Sequence, residues 1–195
     1  GAAIAANRLH KALLKNGVDS KMLVCEKKSD DSTIIGPKTN IQKLINLAKP
    51  TIDQLPIKNY INKSKTMFST AWLGSRSIIK KINEINPDVV HLHWVHNGMI
   101  KIEHIPRIKS PIVWSLHDMW AFTGGCHYDE NCKLYKEECG TCKVLGSKTK
   151  RDLSSKIFRK KQKAYSKITN FTLNGLSKWL ADSAKESKLF KNRNV

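Results

Sequence analysis

The residues best suited to chemistry fall in three places. His93-Trp94 and His117-Asp118 each follow directly on a short apolar run, Val89-Val90-His91-Leu92 and Ile112-Val113-Trp114-Ser115-Leu116. An imidazole can exchange a proton near neutral pH, and a neighbouring carboxylate can orient it. A histidine is more often a structural donor than a catalyst, so position alone leaves the two roles evenly balanced. Cys126, Cys132, Cys139 and Cys142 bring four thiols into 17 residues that end in CxxC. Their number and softness suit tetrahedral zinc. The five-residue gap after Cys126 is not a paired knuckle, so two disulfides or four free thiols stay open. In a reducing compartment zinc is favoured over disulfides, and four thiolates would leave the metal no open position, which makes its role structural. The third place is Gly1-Ala2-Ala3. A helix starting there offers unpaired N–H groups and small side chains to a phosphate, although alanines also promote helix for its own sake. Neither GxGxxG nor GxxxxGK[ST] occurs, which excludes the common dinucleotide fingerprint and the P-loop.

These residues need a scaffold, and the apolar periodicity outlines one. Residues 2, 5, 6, 9 and 13 share a helical face that ends at Gly17, and Ser20–Cys25 reads as a strand holding a buried Cys25 thiol. Glu26–Lys65 reads as a polar surface excursion with short helices near Ile41–Leu47 and Ile57–Ile61. Ile78, Ile79, Ile82 and Ile85 mark a helix that Asn86-Pro87-Asp88 breaks before a strand at Val89–Trp94. A helix over Gly98–Ile108, a strand over Ile112–Leu116, a helix through Leu153–Ile168, a strand at Phe171–Leu173 and a helix from Trp179 complete the series. Alternating strands and helices predict an α/β fold with a parallel sheet covered on both faces. Ligands of such sheets bind beyond the carboxyl ends of the strands, where His93-Trp94 and His117-Asp118 lie.

The 195 residues, 40% of them hydrophobic, are enough to bury a core. The net charge is +19, and residues 143–195 hold 15 basic against three acidic side chains. Such a surface attracts nucleic acid, anionic lipid or phosphorylated ligands. Because 29 of the 35 basic residues are lysine, in a chain also rich in Ile and Asn, an AT-rich coding sequence accounts for the charge about as well. No apolar run reaches the roughly 18 residues of a membrane span and no signal peptide is visible, so the expected location is cytoplasmic. Both ends read as internal to a longer chain.

The run His117-Asp118-Met119-Trp120-Ala121-Phe122-Thr123-Gly124-Gly125-Cys126-His127-Tyr128 with its three trailing cysteines resembles bacterial glycosyltransferases of family 4. It resembles specifically the amino-terminal half of these two-domain GT-B enzymes, which build exopolysaccharide, capsule and O-antigen chains. Gly1-Ala2-Ala3, Asn86–Trp94 and Ser177-Lys178-Trp179-Leu180-Ala181-Asp182 agree, so the likeness spans residues 1–195. The chain departs from the family at Lys143, where proline is usual, and lacks the strand and second glycine usual before Gly1.

The resemblance implies an incomplete, acceptor-side Rossmann-like domain over 1–195, with the donor-binding domain outside it and no turnover by this part alone. It implies a retaining transfer from a nucleotide-sugar donor to a glycan or lipid-linked acceptor, with no cofactor required. By the same resemblance His117 is the catalytic residue beside the donor sugar, and Gly1, Ala2 and Ala3 face the donor phosphates. His93, Trp94, Asp118 and Trp120 line the acceptor side. A lipid-linked acceptor implies peripheral contact with the anionic inner face of the plasma membrane. The competing reading, a zinc-stabilised basic nucleic-acid-binding module, is disfavoured by the β/α alternation and by the lack of aromatic-rich basic stretches.

Overall fold

In the computed structural model, which describes Gly1–Val195, ten regular elements follow in the order α1 (Ala2–Lys15), β1 (Met22–Leu23), β2 (Ile34–Ile35), α2 (Asn40–Asp53), α3 (Arg76–Ile85), β3 (Val90–Leu92), β4 (Ile112–Leu116), α4 (Leu153–Tyr165), β5 (Phe171–Gly175) and α5 (Lys178–Glu186). All strand pairs are parallel, in two separate sheets: β1 beside β2, and β3-β4-β5 with β4 central. The expected α/β class with a parallel sheet is observed.

The three-stranded sheet is where the core sits. Ile112, Trp114 and Leu116 of β4 are buried between Val90 and Leu92 of β3 and Phe171 and Leu173 of β5. Trp114, Tyr165, Phe171 and Phe190 form a continuous aromatic cluster against α4, with ring centroids 5.4–6.1 Å apart along the chain of contacts. Side chains cap both later helices: Asp152 accepts from the Ser155 N–H, and Ser177 from the Leu180 N–H.

Several expectations change. The Gly98–Ile108 helix is only a 3-10 turn over Ile102–Arg107, because Pro106 lies inside it and lacks the amide that an α-helix would use. Glu26–Lys65 is more regular than its composition suggests: it contains β2 and a 14-residue α2 that tolerates Pro50. Helix α1 buries only His10, through bonds of 2.8 Å each to Ser20 Oγ and Thr33 Oγ1, and Cys25 is half-buried rather than in the core. The carboxyl ends of β3 and β4 nevertheless lie side by side, with Leu92 paired to Trp114 in register, and this sets the site.

Candidate functional site

Because β3 and β4 run parallel and end together, the residues that follow them meet. His93 Nδ1 lies 3.0 Å from His117 Nε2, so one imidazole donates to the other. His91 stacks on His93 at 4.5 Å and bonds Ser115 Oγ at 2.8 Å, extending a ladder of rings across the sheet ends. Burial holds all three imidazoles below their ordinary pKa, His93 at about 4, and for His91 and His93 the adjoining rings add to the effect. For His117, Asp118 pulls in the opposite direction. The ladder is therefore neutral at pH 7 and can both donate and accept hydrogen bonds. Helix α1 begins with its Gly1 nitrogen in the neighbourhood of His117.

Asp118 sits one step deeper. Trp94 Nε1 donates to Asp118 Oδ2 at 2.9 Å, the Trp120 N–H to Oδ1 at 2.8 Å, and His127 Nδ1 to Oδ2 at 2.7 Å. Burial opposes ionisation of Asp118, but the bonds from His127, Trp94 and Trp120 outweigh it and hold the carboxyl below its usual range. His127 Nε2 lies 2.9 Å from Ser69 Oγ, and Trp120 Nε1 donates to the Ser69 carbonyl at 2.8 Å. Ser69 itself is fully buried, so the Asp118–His127–Ser69 chain orients the carboxylate and exposes no nucleophile.

His93, Trp94, His96, His117, Asp118 and Trp120 line one small concavity. Trp94 is 41% exposed, leaving an aromatic face open to a ligand, whereas Trp120 is buried beneath it. Thus all the residues expected at the strand ends converge. Trp120 lines the concavity as a buried ring, and its N–H also holds Asp118.

Sequence reasoning missed His96, His127, Ser69, Asp53 and Lys161. His96 is buried against Trp94, Trp120 and His127 with both ring nitrogens unpartnered, and burial takes its pKa down to about 3. Asp53 accepts from the N–H groups of Ala71, Trp72 and Leu73, fixing the segment that carries Ser69. Lys161 is fully buried, donates to the carbonyls of Trp120 and Thr123, and lies 3.7 Å over the Trp120 ring, with burial lowering its pKa to about 7. His127 stood in the GGCHY run and His96 two residues after Trp94, so proximity to the motifs was the available signal.

Cys126, Cys132, Cys139 and Cys142 are all free thiols, with Cys126, Cys139 and Cys142 buried. Glycine is required ahead of them: a Cβ on Gly124 would stand 2.5 Å from the Ser154 carbonyl oxygen. One on Gly125, at φ +123°, would stand 2.6 Å from the Phe68 ring. His96, Asp118 and His127 have donor atoms within 4.8 Å of one another; the cysteine sulfurs do not form such a group.

The model of the glycosyl transferase 4-like family matches residues 7–136, about two thirds of the chain. The chain belongs to the glycosyl transferase 4-like family. The matched stretch contains the histidine ladder, Trp94, Asp118, Trp120 and His127, while Gly1–Ala3, Cys139, Cys142 and Lys161 fall outside it. A protein of Escherichia coli (strain K12), provisionally named colanic acid biosynthesis glycosyl transferase WcaC, is 26% identical over 92 residues. The alignment covers 38% of this glycosyl transferase 4-like chain and 23% of the relative. The matched part therefore spans about a quarter of that relative's length. No solved structure matches the chain. No helix is long and apolar enough to cross a membrane. Family membership gives no support to a nucleic-acid-binding module.

Proposed function

We propose that this chain is the acceptor-side half of a retaining glycosyltransferase. The enzyme would move a sugar from a nucleotide-sugar donor to a glycan or lipid-linked acceptor in cell-surface polysaccharide biosynthesis. The observation that carries the reading is the convergence of His93, His117, Asp118 and Trp94 at the ends of β3 and β4, beside the start of α1, within a chain of this family. The relative named for colanic acid biosynthesis supports a polysaccharide product.

Breaking the bond between the anomeric carbon and the diphosphate oxygen leaves positive charge on the sugar and negative charge on the phosphates. Fixed dipoles at both ends lower that barrier. The N–H groups at Gly1, Ala2 and Ala3 would meet the phosphates, and a neutral His117, held by His93, would hydrogen-bond the donor sugar. Trp94 offers an apolar face to an acceptor sugar ring, and Asp118, oriented by His127 and Trp120, an acceptor for its hydroxyl. The transfer needs no metal or cofactor beyond the donor. A lipid-linked acceptor would bring the enzyme to the inner face of the plasma membrane, where a net charge of +19 favours anionic lipid.

The test is His117→Ala in the intact protein, with release of nucleoside diphosphate followed across a panel of nucleotide sugars and glycan acceptors. Turnover should fall by about 10²-fold to 10⁴-fold while the far-ultraviolet circular dichroism stays unchanged. Near-normal turnover would remove His117 from the chemistry. No release from any donor by the unaltered protein would remove the transferase reading.

A further inference from the structure

His96 is the one imidazole of the site that nothing holds. It is 4% exposed and neither ring nitrogen has a hydrogen-bond partner, whereas His91, His93, His117 and His127 are each bonded. A neutral imidazole carries one N–H and one lone pair, and leaving both unmet in the interior is costly. The backbone nevertheless fixes this ring inward. Asn97 and Gly98 follow it with φ of +56° and +81°, two left-handed residues in succession, and the Ile100 N–H turns back to the Val95 carbonyl at 2.9 Å. Asn97 Oδ1 accepts from Ser69 Oγ at 3.0 Å, which pins the turn to a second segment.

His96 lines the concavity together with Trp94, Asp118 and Trp120, and its ring centroid lies 4.2 Å from that of Trp94 and 4.9 Å from that of Trp120. The free space there is about 10 Å³, enough for one oxygen atom and far too little for a sugar ring. A sugar that uses this space must therefore lie outside, over the exposed face of Trp94, and send one hydroxyl in. Asp118 supplies the second partner. Of the roughly four lone-pair sites of a carboxylate, Trp94 and His127 take two on Oδ2 and the Trp120 N–H takes one on Oδ1, so one remains on Oδ1. A ring nitrogen of His96 and a carboxylate oxygen of Asp118 lie within 4.8 Å of each other. Two hydrogen bonds of about 2.8 Å span that gap through a single oxygen. A hydroxyl meets both needs, accepting from the imidazole N–H and donating its own proton to the carboxylate. A cation fits less well, because it would have to break the 2.7 Å bond between His127 and Asp118.

We propose that His96 and Asp118 together bind one hydroxyl of the acceptor sugar whose ring rests on Trp94, and that His96 thereby selects the acceptor. The proposal rests on the transferase reading. An acceptor without that hydroxyl leaves two buried polar groups unmet, and a site built to hydrogen-bond a hydroxyl rejects such an analogue far more strongly than an apolar site does.

The experiment measures kcat/KM of the intact protein, unaltered and as His96→Phe, for the glycan acceptor turned over fastest and for its monodeoxy analogues, each lacking one hydroxyl. The unaltered protein should discriminate against one analogue by about 10²-fold or more. His96→Phe should use the parent acceptor about 10²-fold less well and shrink that discrimination to below about 10-fold. A merely structural role for His96 would lower turnover of every acceptor alike and leave the ratio untouched, which overturns the proposal. An unaltered protein that accepts every deoxy analogue within about 10-fold also overturns it, because the nitrogens would then serve a resident water. Since phenylalanine can fail to seat, His96→Leu is read in the same way, with folding followed by circular dichroism. Release of nucleoside diphosphate from no donor overturns the transferase reading and this proposal with it, whereas turnover with an unchanged ratio overturns the proposal alone.

Discussion

Helix α2 and the cysteine segment 123–152 invert the usual relation between regularity and burial. Helix α2 is regular, capped by Thr39 accepting from the Gln42 N–H, and yet Ile41, Leu44 and Leu47 are 72%, 69% and 65% exposed. Its one buried residue is the acid, Asp53. The cysteine segment is irregular but carries part of the core. The difference lies in where the backbone polar groups find partners. A helix satisfies its own amides and can stand in water on any face. An irregular segment can be buried only if other elements satisfy it, and here α4 and its cap do so for this segment and the turn that leads into it. Tyr165 Oη donates to the Ala121 carbonyl at 3.0 Å, Lys161 to those of Trp120 and Thr123, and the Cys142 N–H donates to Asp152 at 2.9 Å. The candidate site rests on the second kind of structure.

Three changes should break or sharpen this contrast. The largest effect belongs to Trp120→Ala, which removes a buried ring, its bond to Ser69 and the face beneath Lys161. Urea denaturation should show a loss of about 3–5 kcal/mol; a loss below about 1 kcal/mol would mean that the segment does not depend on its floor.

Acid gives a smaller effect of fixed sign. His96 and His93 have folded-state pKa values near 3 and 4, below their ordinary 6.5, so they are neutral in the fold and take up protons sooner when unfolded. Their stabilising contribution is complete above pH 6.5 and is lost as pH falls towards 4 and then 3. His96→Phe should therefore flatten the fall in urea midpoint between pH 7 and pH 4.5. An unaltered slope would show that His96 does not supply it.

The smallest effect is expected at α2. Ile41→Ser/Leu44→Ser should leave stability within about 0.5 kcal/mol of the parent for each position, because neither side chain is buried. A larger loss would mean that this face is covered in the intact protein.

Much of this was legible in the residues. Ile112–Leu116 was readable as a strand to the residue, and α4 closely, because apolar periodicity is a local signal. That His93 and His117 lie at strand ends was equally readable. Their 3.0 Å contact was not, since it needs β3 and β4 to be parallel neighbours in register. Gly98–Ile108 misled because its apolar spacing suits a helix while Pro106 prevents one. Lys161 was unreadable in principle: in a lysine-rich stretch, nothing local separates the one that points inward.

The sequence by itself determined the strands and helices around the three-stranded sheet, the polar residues placed directly after apolar strands, and the glycine pair that lets Gly124 and Gly125 pack against Ser154 and Phe68. Tertiary structure alone decided that Asp118 is held by Trp94 and His127, that Ser69 arrives from 49 residues upstream on a segment tied to Asp53, and that an ammonium lies beneath the site. The reason is range. Periodicity and capping act over a few residues, whereas burial of a charge or an orphan ring is decided by which distant segments close over it.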